Sequence, residues 1–198
     1  MKFSVLAKYL EKLSGETKHS VLTSILVDLF KQVSKDDIDK VCYFVLGRLG
    51  AEFEKINTNL SGKMLLKAVS AVAGKDVKGL MSKYGDVGSV AYNAISSDKS
   101  KGMKVNDVYD ALMKIVHVSG SGSQEKKLAI LVKLYKSMNK LERKYFSRIV
   151  EGNIRANVGA MTILDALAIW KLGNKKRRKE LEAAYNVCSD IGLSLIHI

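Results

Sequence analysis

Proline is absent from the 198-residue chain, although average usage of about 5% would supply roughly ten. Proline breaks helix interiors, whereas loops and strand edges use it freely. Its absence therefore favours a nearly all-helical chain with short connections. Cysteine is almost as scarce: Cys42 and Cys188 stand alone, with nothing near either at metal-ligand spacing. Two reduced, packed thiols in an intracellular protein is the reading this supports. The three histidines, His19, His117 and His197, lie far apart. With no Ser/His/Asp order, no metal-binding histidine pair and no redox cysteine pair, catalysis finds no support, and no metal is expected. No apolar run approaches the ~20 residues that span a bilayer. Met1–Ala7 starts like a signal peptide, but Lys8 and Glu11 interrupt it too early. The expectation is a soluble, cytoplasmic protein without a membrane partner.

Acidic residues are also in deficit, 20 against 33 Lys and Arg, for a net charge of +13. The imbalance is local. Gln124–Lys179 holds fifteen Lys/Arg against four acids, or +11 in under a third of the chain. Such a concentration predicts a polyanionic partner, with nucleic acid ahead of an acidic membrane surface. The competing reading is a solvated, solubilising face.

Apolar residues recur at helical spacing in Phe3, Leu6, Leu10 and Leu13, and again in Leu22, Ile25, Leu26, Leu29 and Val33. Ser34-Lys35-Asp36-Asp37 reads as a capping-box start for a helix that buries Ile38, Val41, Cys42, Val45 and Leu49. Gly62 precedes a short apolar helix that Gly74 ends, Val77–Tyr84 supplies another, and Asp86-Val87-Gly88 turns the chain into Val90–Ile95. The small, polar segment Ser96–Gly102 is the candidate boundary between halves.

The chain then repeats itself. At an offset of 105, Leu26, Val27, Leu29, Phe30, Lys31, Lys35, Val45 and Gly47 meet Leu131, Val132, Leu134, Tyr135, Lys136, Lys140, Val150 and Gly152. Gly62 and Met64 answer Gly159 and Met161, and Asp86-Val87-Gly88 answers Asp190-Ile191-Gly192. The glycines and the Asp-x-Gly turn discriminate, since helical periods alone align by chance. This predicts an all-α domain over 1–192, about twelve helices in two pseudo-twofold-related halves, roughly 1–100 and 101–192. The last six residues, Leu193–Ile198, resemble the translation of a sequencing adapter and read as a non-native tail, so His197 carries no functional weight.

Two turns are candidate anion sites. Ser119–Ser123 leads without a break into the amphipathic stretch Gln124–Lys136, with Lys126 and Lys127 in its first turn. Helix N-termini present free N–H groups, and beside lysine they attract phosphate. A flexible Gly/Ser linker is the alternative; a P-loop is excluded, because no glycine–four residues–Gly-Lys-Ser/Thr pattern occurs. In the second turn, Arg155–Thr162, Asn157 and Gly159 tolerate positive φ and allow close backbone approach, unless this is a plain inter-helix turn. Lys175–Lys179 is five consecutive cations, a patch expected to add long-range attraction.

Gly120-Ser121-Gly122-Ser123-Gln124-Glu125-Lys126-Lys127, then Gly152 through Arg155 to Val158-Gly159, Met161–Ala168, and Tyr185–Val187 with Ser189–Gly192 resemble the N-terminal DNA-binding domain of ATP-dependent DNA ligases. The resemblance covers Met1–Gly192, and the lack of an N-terminal extension is more similar to archaeal members than to eukaryotic ones. It implies an all-helical domain that grips nicked duplex DNA through the minor groove, sequence-independently, for replication, repair and recombination. DNA-binding residues would be Ser121, Gly122, Ser123, Lys126, Lys127, Arg155, Val158, Gly159 and Thr162, with Gly62 and Lys63 the weaker counterpart in the first half. Asn157 stands where the family often has glycine, and Ala160 where it often has an acid. No Lys-x-Asp-Gly adenylation motif occurs. The resemblance thus implies a fragment that is non-catalytic and without a cofactor of its own, whose parent ligase would use ATP and Mg²⁺; a sliding clamp is left open as a further partner. The alternative from another class is a helical-repeat scaffold for an acidic protein.

Overall fold

The computed structural model describes residues 1–188 and 190–194. Among them are twelve α-helices, two 3-10 turns and no strand beyond an isolated bridge between Lys2 and Lys104. The first half carries α1 (Phe3–Ser14), α2 (His19–Phe30), α3 (Ile38–Val45), α4 (Gly62–Ala73), α5 (Leu80–Tyr84) and α6 (Val87–Ala94). The second carries α7 (Val105–His117), α8 (Ser123–Ser137), α9 (Lys140–Val150), α10 (Ala160–Leu172), α11 (Arg178–Cys188) and α12 (Ile191–Ser194). The 3-10 turns are Glu52–Glu54 and Lys175–Arg177. The all-α expectation holds, and one continuous apolar core joins both halves.

Helix α9 is buried along most of its length and packs on α6 and α1. Tyr145, Phe146 and Ile149 are buried, and so are its polar residues Glu142, Arg143, Ser147 and Arg148. A buried polar group is tolerated when it finds partners. Arg143 donates from Nε to the Tyr135 carbonyl (2.8 Å) and from Nη1 to the Ser97 carbonyl (2.5 Å), while Ser147 Oγ pairs with Tyr135 Oη at 2.8 Å. Arg143 thereby fastens the 96–102 link to the core. Lys101 N–H bonds the Ser137 carbonyl (2.9 Å) and Lys140 N–H the Asp98 carboxylate (2.8 Å), so the link is secured at the α8–α9 junction.

Elements that the internal repeat aligns make equivalent contacts crosswise between the two halves. Helix α4 packs on α8 and α10 on α2; α6 packs on α9 and α12 on α3. Asp86, at the start of α6, takes Arg148 of α9, and Asp190, before α12, takes the hydroxyl of Tyr43 in α3 at 2.7 Å. Tyr43 and Arg148 are themselves 105 apart. Gly88 is what lets α6 approach α9, because a Cβ there would stand 2.5 Å from the Lys144 carbonyl oxygen. Gly47 and Gly152, both at positive φ (68° and 69°), abut one another where the halves meet.

Two local expectations are overturned. Asp37 does not close a capping box on α3: its carboxylate takes the Ser34 hydroxyl (2.9 Å) and the N-terminal ammonium of Met1, and no side chain caps the helix. A free terminal charge outcompetes the helix N–H groups for the carboxylate. The helix expected over Val77–Tyr84 begins only at Leu80. Val77 is fully buried in the preceding turn, its N–H bonded to Ser70 Oγ at 3.3 Å and its carbonyl to the Leu80 N–H at 3.0 Å. Of the predicted tail, 195–198 lie outside the described residues, as does the side chain of Cys188; Cys42 is buried, and burial pushes its thiol pKa well up.

Candidate nucleic-acid interface

The Ser/Gly run is an ordered helix start. Gly120 (φ 82°) and Gly122 (φ 71°) supply left-handed backbone, Ser123 N–H bonds the Gly120 carbonyl (3.2 Å), and Ser123 is the first residue of α8. No side chain caps this helix, nor α10, whose N-cap is Gly159. Each therefore keeps the backbone donors and positive dipole end that hold an anion. Helix α4 differs, since Ser61 Oγ accepts from Met64 N–H at 3.3 Å.

The two lysines of the first turn part company. Lys126 is exposed, whereas Lys127 is 5% exposed and donates from Nζ to the Thr58 carbonyl at 2.9 Å. Lys127 therefore ties the loop before α4 to the start of α8. The consequence is local order: Lys63, Met64 and Lys67 of α4 share a cleft with Gln124, Glu125 and Leu128 of α8. Lys127→Ala is expected to cost about 2 kcal/mol, by stranding the Thr58 carbonyl and removing the buried stem; denaturant titration checks this, and Lys126→Ala should be near neutral.

The second turn is built differently from its expectation. Positive φ falls at Gly152 (69°) and Arg155 (57°), while Gly159 is at −110° and Asn157 is not in the left-handed region. Asn153 stabilises this, its Oδ1 accepting the Arg155 N–H at 3.2 Å. The Arg155 guanidinium turns back onto the start of α6, donating to the Gly85 carbonyl at 3.1 Å and lying 3.4 Å from Asp86 Oδ2; its side chain remains 45% exposed. Val158 is half-buried and Thr162 is 6% exposed.

The predicted residues thus fall into two groups about the Gly47–Gly152 contact. Gly62, Lys63, Ser121, Gly122, Ser123 and Lys126 gather where α4 meets α8. Val158, Gly159 and Thr162 belong to the start of α10, which packs on α2. Arg155 lies between, at α6. What sequence reasoning missed is the start of α2: Gly15, Lys18 and His19 sit 105 before Gly120, Ser123 and Gln124, so the repeat could have found it. The structure places His19 Nε2 3.4 Å from Asp165 of α10.

A cleft along the junction is lined by Gly47, Arg48, Asn57, Gly62, Glu151 and Gly152. Its acid is perturbed: desolvation, then the charge of Asp86, pushes the Glu151 carboxyl above the ordinary range. Asp86 moves the other way. Despite desolvation, hydrogen bonds from Arg148 and Ser89 hold it low. A raised carboxyl contributes stability while protonated and loses it as pH rises through the raised pKa. Glu151→Gln should therefore raise the melting temperature at neutral pH, with the gain vanishing below about pH 4, where both forms are neutral; melts across that range test it.

Comparison with known proteins identifies the family. Residues 2–168 match the family model described as DNA ligase N terminus. The chain is 36% identical over 194 residues to a probable DNA ligase of Dictyoglomus turgidum, covering 97% of the chain and 33% of that protein. It is 34% identical over 204 residues to a DNA ligase of Pyrobaculum arsenaticum (97% and 34%), and 36% identical over 205 to DNA ligase 2 of Thermofilum pendens (96% and 34%). The chain spans about a third of the length of these relatives. From its all-α architecture, its basic second half and the match over most of its residues, the chain belongs to the family of DNA ligase N-terminal domains.

Proposed function

We propose that this chain is the DNA-binding domain of an ATP-dependent ligase and holds nicked duplex DNA through the minor groove without reading sequence. The observation that carries the reading is the pair of glycine-led helix starts without a side-chain cap, α8 at Gly122 and α10 at Gly159, the first adjoining and the second inside the stretch Gln124–Lys179 with its +11 net charge. Backbone amides and lysines at such starts contact phosphates and sugars, which position a protein without specifying bases. That suits an enzyme required at any nick. The crosswise packing, α4 on α8 and α10 on α2, supports treating 1–100 and 101–192 as a duplication.

In this reading the intracellular ligase acts in replication, repair and recombination, and its adenylation chemistry, with ATP and Mg²⁺, belongs to the remainder of the enzyme. The chain's own residues bind and orient DNA; the sequence contains no Lys-x-Asp-Gly. Lys63→Glu with Lys126→Glu, both exposed, the first lining the α4–α8 cleft and the second in the first turn of α8, should weaken duplex binding at least tenfold while the circular dichroism spectrum stays unchanged. Unchanged affinity in the folded variant would exclude this face as the binding surface.

A further inference from the structure

Asp165 lies in the middle of α10 and is 1% exposed. Two cationic side chains and a histidine, from three elements, converge on it. Lys175 Nζ of the second 3-10 turn is 2.9 Å from Oδ2, Arg178 Nη1 of α11 is 3.3 Å from Oδ1, and His19 Nε2 of α2 is 3.4 Å from Oδ2. Arg178 also pairs with Glu182 at 3.2 Å, so the buried acid fixes the second 3-10 turn and the start of α11 in place, and the unbalanced positive charge lies on the lysines beside it. Lys175 and His19 are each 52% exposed in their side chains. Next to them, Lys176 and Lys179 are exposed and have no acid partner among the described residues. Arg177 and Arg178, by contrast, are partly neutralised by Glu180 and Glu182.

The cluster adjoins the proposed interface. Asp165 is six residues beyond Gly159 on the same helix, about 9 Å along its axis, and His19 opens the helix on which α10 packs. The first half has alanine, Ala68, where the repeat places Asp165, so the organising acid is a feature of the second half alone.

We propose that Asp165, by gathering His19, Lys175 and Arg178 beside Lys176 and Lys179, builds a second phosphate-contacting surface that lengthens the footprint on duplex DNA beyond the helix starts. This rests on the DNA-binding reading above. A polyanion fits this surface because Lys176 and Lys179 are exposed side by side with no acid partner among the described residues. Duplex DNA is favoured over an acidic protein by continuity with the α10 start.

The test is the salt dependence of binding to a duplex of about 30 bp, read by fluorescence anisotropy for the whole chain. Lys176→Ala with Lys179→Ala should lower the slope of log affinity against log salt by about two, one per lost phosphate contact. Lys99→Ala with Lys101→Ala removes the same charge from the link at the α8–α9 junction, the end of α8 opposite Gly122, and should leave the slope unchanged. Equal slopes in the two variants would overturn the proposal, reducing the patch to long-range attraction. So would poly-glutamate competing for the wild type as well as DNA does, which identifies an acidic-protein surface. If the folded wild type does not bind the duplex at all, the DNA-binding reading fails; if it binds, and the patch variant matches the link control, only the second surface is lost.

Discussion

Replacing Asp86 with alanine is expected to lower the unfolding free energy by about 3–5 kcal/mol, the range for stranding one member of a buried ion pair. Both Asp86 and Arg148 side chains are 7% exposed, with Arg148 Nε 3.2 Å from Oδ1 and Nη2 3.3 Å from Oδ2. The same carboxylate caps α6, accepting from Ser89 N–H (3.0 Å) and Ser89 Oγ (2.7 Å). One substitution therefore removes a helix cap and leaves a guanidinium without its charge partner in the core. Arg155 would keep only its bond to the Gly85 carbonyl, so DNA affinity should fall in whatever fraction remains folded. The acid limb carries the same information. Because Asp86 is held below its ordinary pKa, its contribution is present above about pH 4 and is lost as pH falls through the depressed folded value. The variant should lose much of the wild type's stability difference between neutral and acid pH. Urea titrations of both proteins at pH 7 and pH 3 measure this, and equal stabilities at pH 7 would remove Asp86 from the account of how the halves are joined.

Gly47→Ala is expected to cost about 2–4 kcal/mol, from left-handed backbone strain together with overpacking. At φ 68° a Cβ would stand 3.0 Å from the Gly152 carbonyl carbon and 3.1 Å from its oxygen, both backbone atoms of a residue itself held at φ 69°. Gly173 separates the two contributions. It ends α10 at φ 71°, and a Cβ there would meet nothing within 4 Å, so Gly173→Ala should show the strain alone, about 1 kcal/mol. The excess at Gly47 measures how closely the halves approach. Equal losses at the two positions would mean that the Gly47–Gly152 contact yields without cost.

Much of this architecture was legible because helical faces and caps are local. The apolar residues of α1, the Gly62–Gly74 bounds of α4 and the Asp86 start of α6 follow from periodicity, glycine and a capping acid. The helix starts at Ser123 and Ala160 were legible for the same reason. What escaped depends on partners distant in sequence. Lys126 and Lys127 are chemically alike, and only the loop carrying Thr58, 69 residues away, separates a surface cation from a buried tether. Asp37 carries a cap's chemistry but is claimed by Met1. Left-handed backbone falls on Arg155 rather than on Asn157 or Gly159, because Asn153 and the start of α6 hold that turn from both sides. The five cations at Lys175–Lys179 looked uniform in sequence. Asp165 and the two nearby glutamates divide them into paired and unpaired members.

The central claim is that the two helix starts hold a phosphate backbone and ignore the bases. The most direct measurement is fluorescence anisotropy of the chain on nicked and intact duplexes of unrelated sequence, titrated between 50 and 200 mM salt. If about six phosphates are neutralised, affinity should fall ~10³-fold or more across that range, with sequences of equal length bound alike. A flat salt dependence, a strong preference for one sequence, or no binding by the folded chain would contradict it.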